Sequence, residues 1–197
     1  MRAMKYVVGL GNPGEKYKDT RHNVGWMALD AWLGATGLPT VYESAAHSGR
    51  ITEGLLNNTE VTVLYPDTYM NNSGSAVKKL ATAGEVGDLV VVYDDVDVPF
   101  GEVKVSVGGG AAGHNGIKSI TQALGTPEYI RVRIGIAPRS FWTGAPKRPP
   151  GAKLPSYVLK PFTGREQKEL PGVLAHVGEI LTSIITDGVT VAMNRFN

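Results

Sequence analysis

The chain is 197 residues long, close to the size of one ordinary domain, with 42% hydrophobic and 19% charged residues. A net charge of +2 is too mild to mark a nucleic-acid binder by itself, and the absence of cysteine excludes disulfides, thiol nucleophiles and Cys-ligated zinc. No apolar run approaches the roughly 18 residues of a membrane helix, and the start, Met-Arg-Ala-Met-Lys, lacks a signal-peptide apolar region, so a cytoplasmic location is the simplest expectation.

Strand-like and helical patterns alternate along the chain. Residues 5–10 form a short apolar run stopped by glycine, as a buried strand should. The segment 23–34 puts Val24, Met27, Ala28, Ala31 and Trp32 on one helical face, with Gly37 as a stop. Residues 49–57 and 60–65 read as two strands joined by a turn at Asn57-Asn58. The stretch 73–84 predicts a helix with Val77, Leu80 and Ala81 inward, and 89–93 a buried strand ending in Asp94-Asp95. Residues 102–107 alternate, with Val103, Val105 and Val107 on one side; 115–125 predict a helix carrying Ile117, Ile120 and Leu124; 131–136 alternate again.

This order is mostly βαβ, interrupted by hairpin-like pairs. It predicts an α/β protein: one domain over residues 1–197, with a mixed, mostly parallel sheet flanked by helices on both faces. Residues 137–155 hold Pro138, Pro146, Pro149, Pro150 and Pro155 among glycines and basic residues, the composition of a flexible loop. Thr163-Gly-Arg-Glu166 then reads as a capping box for a terminal helix, in which Pro171 predicts a kink or a restart.

Two glycine-rich passages carry the chemistry. Gly9-x-Gly11-x-x-Gly14 follows a strand and fits the dinucleotide fingerprint, but the polar run after Gly14 reads as loop and no acidic residue closes a second strand about 20 residues on. Instead the turn exposes Asn12, and the Thr-Arg-His-Asn at 20–23 opens a helix with His22 turned to solvent. A lone histidine there is often only exposed surface, yet an imidazole beside an amide also suits a hydrolytic site. Asp94, at the end of an apolar strand, is placed to orient an imidazole or steady its charged form.

Asp95 and Asp97 nearby raise a metal alternative, but no second ligand cluster accompanies them, and neither a metal nor a cofactor is expected. Asn71 and Asn115 stand before helices, as Asn12 does. Each could be a plain cap or turn residue, and together they could grip a polar substrate. The second passage, Gly108 to Gly116, favours close approach of backbone to a ligand and contains a rival candidate base, His114. The basic clusters at Lys78-Lys79, Lys104, Lys118, Arg131 and Arg133, and 139–153 read by themselves as solvated faces.

Taken in order, Gly-Leu-Gly-Asn-Pro-Gly, Thr-Arg-His-Asn, Thr68-Tyr-Met-Asn-x-Ser-Gly74, Asp94-x-x-Asp97, Gly108-Gly-Gly-x-x-Gly-His-Asn-Gly116 and Arg131-x-Arg-Ile-Gly-Ile136 resemble the bacterial peptidyl-tRNA hydrolases from about Lys5 to the C-terminus. The resemblance implies a monomeric, metal-free enzyme that cleaves the ester joining a peptide to the terminal ribose of tRNA, with peptidyl-tRNA as its partner and no membrane. It implies His22 as the catalytic base, Asp94 as the carboxylate favouring its basic form, and Asn12 as the residue that tells blocked from free aminoacyl ends. It further implies Tyr17, Tyr69, Asn71 and Asn115 as substrate contacts, with Lys104 and Arg133 near the tRNA 5′-phosphate. The chain departs from the family pattern at Tyr93, at Ala111-Ala112 and at Ser106.

Overall fold

The first strand, β1 (Met4–Gly9), sends Val7 into one core and Tyr6 and Val8 into another, the two-residue period of a strand covered on both faces. In the computed structural model, which describes residues 4–140 and 143–197, β1 lies at the middle of a seven-stranded sheet. The chain continues through α1 (Val24–Thr36), β2 (Tyr42–Ser44), β3 (Gly49–Leu56), β4 (Thr59–Pro66), α2 (Ser73–Leu80), β5 (Leu89–Pro99) and β6 (Val103–Val107). It ends with α3 (Asn115–Leu124), β7 (Ile130–Ala137), α4 (Leu154–Val158), α5 (Gly164–Thr186) and α6 (Val189–Phe196).

The strand order is β2-β3-β4-β1-β5-β7-β6. The central four, β4, β1, β5 and β7, run parallel; β3 and β6 flank them antiparallel, and β2 pairs antiparallel with β3 at the edge. Val24, Ala28, Leu29 and Trp32 of α1 pack with α5 and α6 on one face. Ala76, Val77, Ile117, Ile120 and Leu124 of α2 and α3 cover the other. The expected mixed sheet with helices on both faces is therefore present. Asn57 and Asn58 both take positive φ, 48° and 66°, which lets a two-residue turn match the twist of β3 and β4. Gly37 ends α1 at a φ of 69°.

Several local readings change. The helix expected over 73–84 stops at Leu80, because Ala81 is extended and Thr82 forms a capping box with Glu85 that starts a separate 3-10 turn, Ala83–Asp88. The strand expected to end before Asp94 runs on to Pro99, with a shift of register against β7 between Asp95 and Pro99. Val107 is exposed, unlike its alternation partners Val103 and Val105. The Thr163 capping box forms as read, but α5 passes through Pro171 without a restart. The segment 137–155 contains a bridge between Arg139 and Pro146, a 3-10 turn at Gly151–Lys153 and the first residues of α4. Phe141 and Trp142 within it, and the opening residues 1–3, lie outside the described residues.

The carboxyl ends of the parallel strands β1, β4 and β5 converge at one edge of the sheet, the place where open α/β sheets hold ligands. Helix α1 reaches that edge through a close backbone approach. A Cβ on Gly25 would lie 2.5 Å from Val92 O and 2.6 Å from Leu10 O, so only glycine fits. Gly25→Ala is expected to destabilise the fold by about 1–3 kcal/mol, the usual cost of overpacking. Urea denaturation checks this; an unchanged midpoint would show that α1 has room to move away from β1 and β5.

Candidate active site

Three turns are tied together before any reactive group is placed. Asn12 N donates to Asn23 Oδ1 at 2.9 Å, and Asn23 Nδ2 donates back to Asn12 O at 3.0 Å. This pair locks the turn after β1 to the 3-10 turn Arg21–Asn23 that leads into α1. Asn12 Oδ1 accepts from Met70 N at 2.8 Å, which adds the turn after β4. Because the carbonyl oxygen of the Asn12 amide is engaged there, its Nδ2 remains as the donor for the cavity that Asn12 lines.

His22 follows Arg21 in the same turn. The exposure expected of it is not found: only 11% of its side chain is accessible, since it packs against Asp94 and His114. Asp94 Oδ1 lies 2.9 Å from His22 Nδ1 and 2.9 Å from His114 Nε2. His114 is the N-cap of α3, and its Nδ1 accepts from Ile117 N. The hydrogen of His114 therefore sits on Nε2 and points at Asp94. His22 likewise donates through Nδ1 to the ionised carboxylate, which leaves its Nε2 lone pair unengaged by that contact.

The electrostatics follow from this geometry. Burial would push the Asp94 carboxyl up, but the two imidazoles outweigh it and hold Asp94 well below the usual carboxylate range. Burial pulls His22 down, and the Asp94 charge and hydrogen bond overcome that to raise it.

Around this pair lies a cavity of about 450 Å³. The structure brings Asn12, His22, Tyr69, Asn71, Asp94 and Asn115 to its walls. Tyr17 reaches the rim through an edge contact with Tyr69, ring centroids 6.5 Å apart. Lys104 and Arg133 lie outside it, opposite each other in the β6–β7 ladder and on one face of the sheet. Lys104 Nζ donates to Asn197 O at 3.2 Å and Arg133 Nε to Asp95 Oδ2 at 2.7 Å.

Arg131 is no solvated cation. It is buried, with its Nη atoms donating to the carbonyls of Gly109, Gly110 and Pro127, so it shapes the glycine loop. Of the departures from the family pattern, Tyr93 packs edge-on against His114 at 5.0 Å, Ala111 and Ala112 line the cavity, and Ser106 faces Arg131 in register.

The acidic triplet considered for a metal does not converge. Asp95 pairs with Arg133 and Asp97 with Arg148, while Asp94 turns to the histidines. His22, Asp94 and His114 do offer ligand atoms within 4.8 Å of one another. Their hydrogens already point at one oxygen, and the Nδ1 acceptor role of His114 keeps its Nε2 protonated.

Sequence reasoning missed the contact between His114 and Asp94, the clamp made by Asn23, and an apolar wall of Leu154, Pro155, Val158 and Leu159 from α4 and its end. Only the capping position of His114 could have been read, from the helical pattern beginning at Asn115.

A strand-end cavity in which two imidazoles share a buried carboxylate beside amide side chains, on a mixed sheet with helices on both faces, marks an α/β protein with an enzyme-like site. A profile of the peptidyl-tRNA hydrolase family matches residues 6–197. The chain is 38% identical over 198 residues to the peptidyl-tRNA hydrolase of Thermodesulfovibrio yellowstonii, covering 98% of this chain and 99% of that one. It is 40% identical over 197 residues to the one from Geotalea uraniireducens, with 99% and 97% covered. The crystal structure of the Acinetobacter baumannii peptidyl-tRNA hydrolase superposes with a TM-score of 0.85 at 29% identity, covering 100% of this chain and 96% of that one. The chain belongs to the peptidyl-tRNA hydrolase family.

The charge of Asp94 is what raises His22, so Asp94→Asn should move the acid limb of the kcat/KM profile to lower pH. His114 Nε2–H still orients the amide oxygen of the variant toward His22, and turnover therefore falls less than when the imidazole itself is removed. An acid limb that stays where it was would mean that another group titrates.

Proposed function

We propose that the chain hydrolyses the ester between a peptide, or another N-blocked aminoacyl group, and the terminal ribose of tRNA, with His22 as general base. The observation that carries this reading is the convergence of two imidazole N–H groups on Asp94 Oδ1, which leaves His22 Nε2 as the acceptor for a water proton.

In this mechanism His22 Nε2 takes a proton from water as the water oxygen bonds to the ester carbonyl carbon. Asp94 stabilises the imidazolium formed. Asn12 Nδ2 and the amide of Asn71, both at the cavity wall, donate to the oxygen that becomes negative. Collapse of the tetrahedral intermediate breaks the bond to the ribose oxygen, which takes the proton from His22, and the peptide acid and the tRNA leave. Asn12 also separates blocked from free aminoacyl ends, because an amide donor matches a peptide carbonyl and is poorly matched to an ammonium. Tyr17, Tyr69, Asn71 and Asn115 hold the substrate around the cavity. Lys104 and Arg133 take the 5′-phosphate of the tRNA.

All of these residues come from one polypeptide, so a monomer suffices. The substrate is a product of translation, which fits a cytoplasmic enzyme; no helix among the described residues is long and apolar enough to cross a membrane.

His22→Ala should lower kcat by about 10²- to 10⁴-fold, the usual contribution of a general base, with an unchanged thermal midpoint. Hydrolysis of an N-acetylaminoacyl-tRNA measures it, and wild-type turnover would remove His22 from the mechanism. Replacing Lys104 and Arg133 together by Ala should raise KM for tRNA substrates and flatten the salt dependence by roughly one to two units of log–log slope. A short nucleotide ester lacks the distant phosphate and serves as the control. Equal losses on both substrates would assign these cations to folding or chemistry instead.

A further inference from the structure

Asp94 and Asp95 are consecutive in β5, so their side chains leave opposite faces of the sheet. Asp94 meets the two imidazoles. Asp95 is buried as well, and its two oxygens divide their work: Oδ1 accepts from Asp97 N at 2.7 Å, and Oδ2 accepts from Arg133 Nε at 2.7 Å. No other cation touches it among the described residues.

Arg131 and Arg133 lie two apart on β7 and face the same side. Their guanidinium groups are used in opposite ways. The Nη atoms of Arg131 are occupied by three loop carbonyls. Arg133 is held only at Nε; its Nη1 and Nη2 make no hydrogen bond among the described residues, and 29% of its side chain is accessible. Lys104 stands directly across the ladder. A guanidinium fixed at Nε presents its Nη pair as a two-pronged donor, the arrangement that meets two oxygens of one phosphate.

We propose that Asp95 is a positioning residue that holds Arg133 with its Nη pair facing outward beside Lys104, ready for a terminal phosphate of the tRNA. The inference rests on the phosphate role given to Arg133 above. Asp95 adds no contact to the substrate; it removes the rotamer freedom that a long exposed arginine would otherwise lose on binding. It also fixes the phosphate contact to the same strand segment that carries Asp94, so that the distance from phosphate to reacting ester is set by β5 and β7.

The test compares peptidyl-tRNA with a short nucleotide ester in wild type, Asp95→Asn, Asp95→Glu, Arg133→Ala and Asp95→Asn/Arg133→Ala, with thermal midpoints as the control for folding. The readout is the ratio of KM for tRNA to KM for the short ester. Asp95→Asn should raise that ratio about fivefold, Asp95→Glu should recover part of the loss, and adding Asp95→Asn to Arg133→Ala should raise it no further. An unchanged ratio in Arg133→Ala would overturn the phosphate contact itself and this inference with it. A raised ratio in Arg133→Ala joined to an unchanged or lowered ratio in Asp95→Asn would leave the phosphate contact standing and overturn the positioning role. So would a full further loss in the double variant.

Discussion

A single carboxylate oxygen, Asp94 Oδ1, receives N–H groups from two imidazoles that reach it from different parts of the chain. Asp94 is almost completely buried, and an isolated carboxylate in such a place would be costly enough to take up a proton. The two histidines make ionisation favourable there, and the ionised oxygen in turn dictates which nitrogen of each ring carries hydrogen. For His114 the choice is fixed twice, since Ile117 N at the first turn of α3 donates to its other nitrogen. The tautomer of the proposed base thus depends on a helix start about 90 residues further along the chain.

The same strand shows why the polar centre stays distinct from the cationic surface. Consecutive acids on β5 face opposite ways, one toward the imidazoles and one toward Arg133, so each is neutralised by a different partner. Arg131 is a buried charge that makes no ion pair among the described residues, and the glycine loop supplies carbonyls instead. Those glycines serve more than ligand approach: their backbone oxygens solvate an arginine in the interior, and the ring of Tyr129 stacks on its guanidinium at 4.7 Å.

The architecture was legible because it rests on short-range periodicity. Two-residue alternation in β6 and β7, the glycine-stopped apolar run of β1, the run of apolar residues before Asp94, and the turn at Asn57-Asn58 each announce themselves within a few positions. Boundaries set by side-chain competition were harder. Thr82 and Glu85 open a separate turn after α2 with a cap that a hydrophobic pattern does not register, and β5 continues through two acids because both find partners, Asp94 in two imidazoles and Asp95 in Arg133 of β7. At the site, the residue types and their order could be read. That His22 is nearly buried, that His114 shares its acid, and that Arg131 is interior all depend on contacts between segments 20 to 100 residues apart, which no local window contains. The apolar wall from α4 was hidden for another reason: it follows a proline-rich stretch whose composition reads only as loop.

The density of the Thr20-Arg21-His22-Asn23 segment has a physical explanation. It is a 3-10 turn whose three residues point in three directions. Arg21 donates to Lys160 O and Pro161 O, pairs with Glu166 and lies over the rings of Tyr157 and Phe162, which fixes the chain that follows the apolar wall. Glu166 is also the capping acid of α5, so that helix starts against the same arginine. Asn23 clamps the Asn12 turn, and His22 lies between them on Asp94. A tighter turn such as this projects successive side chains about 120° apart, so one residue faces the C-terminal half, one the sheet and one the first turn. Alignment of the proposed base with the polar wall and the apolar wall therefore hangs on three adjacent residues. A change at Arg21 or Asn23 would disturb the placement of His22 on Asp94.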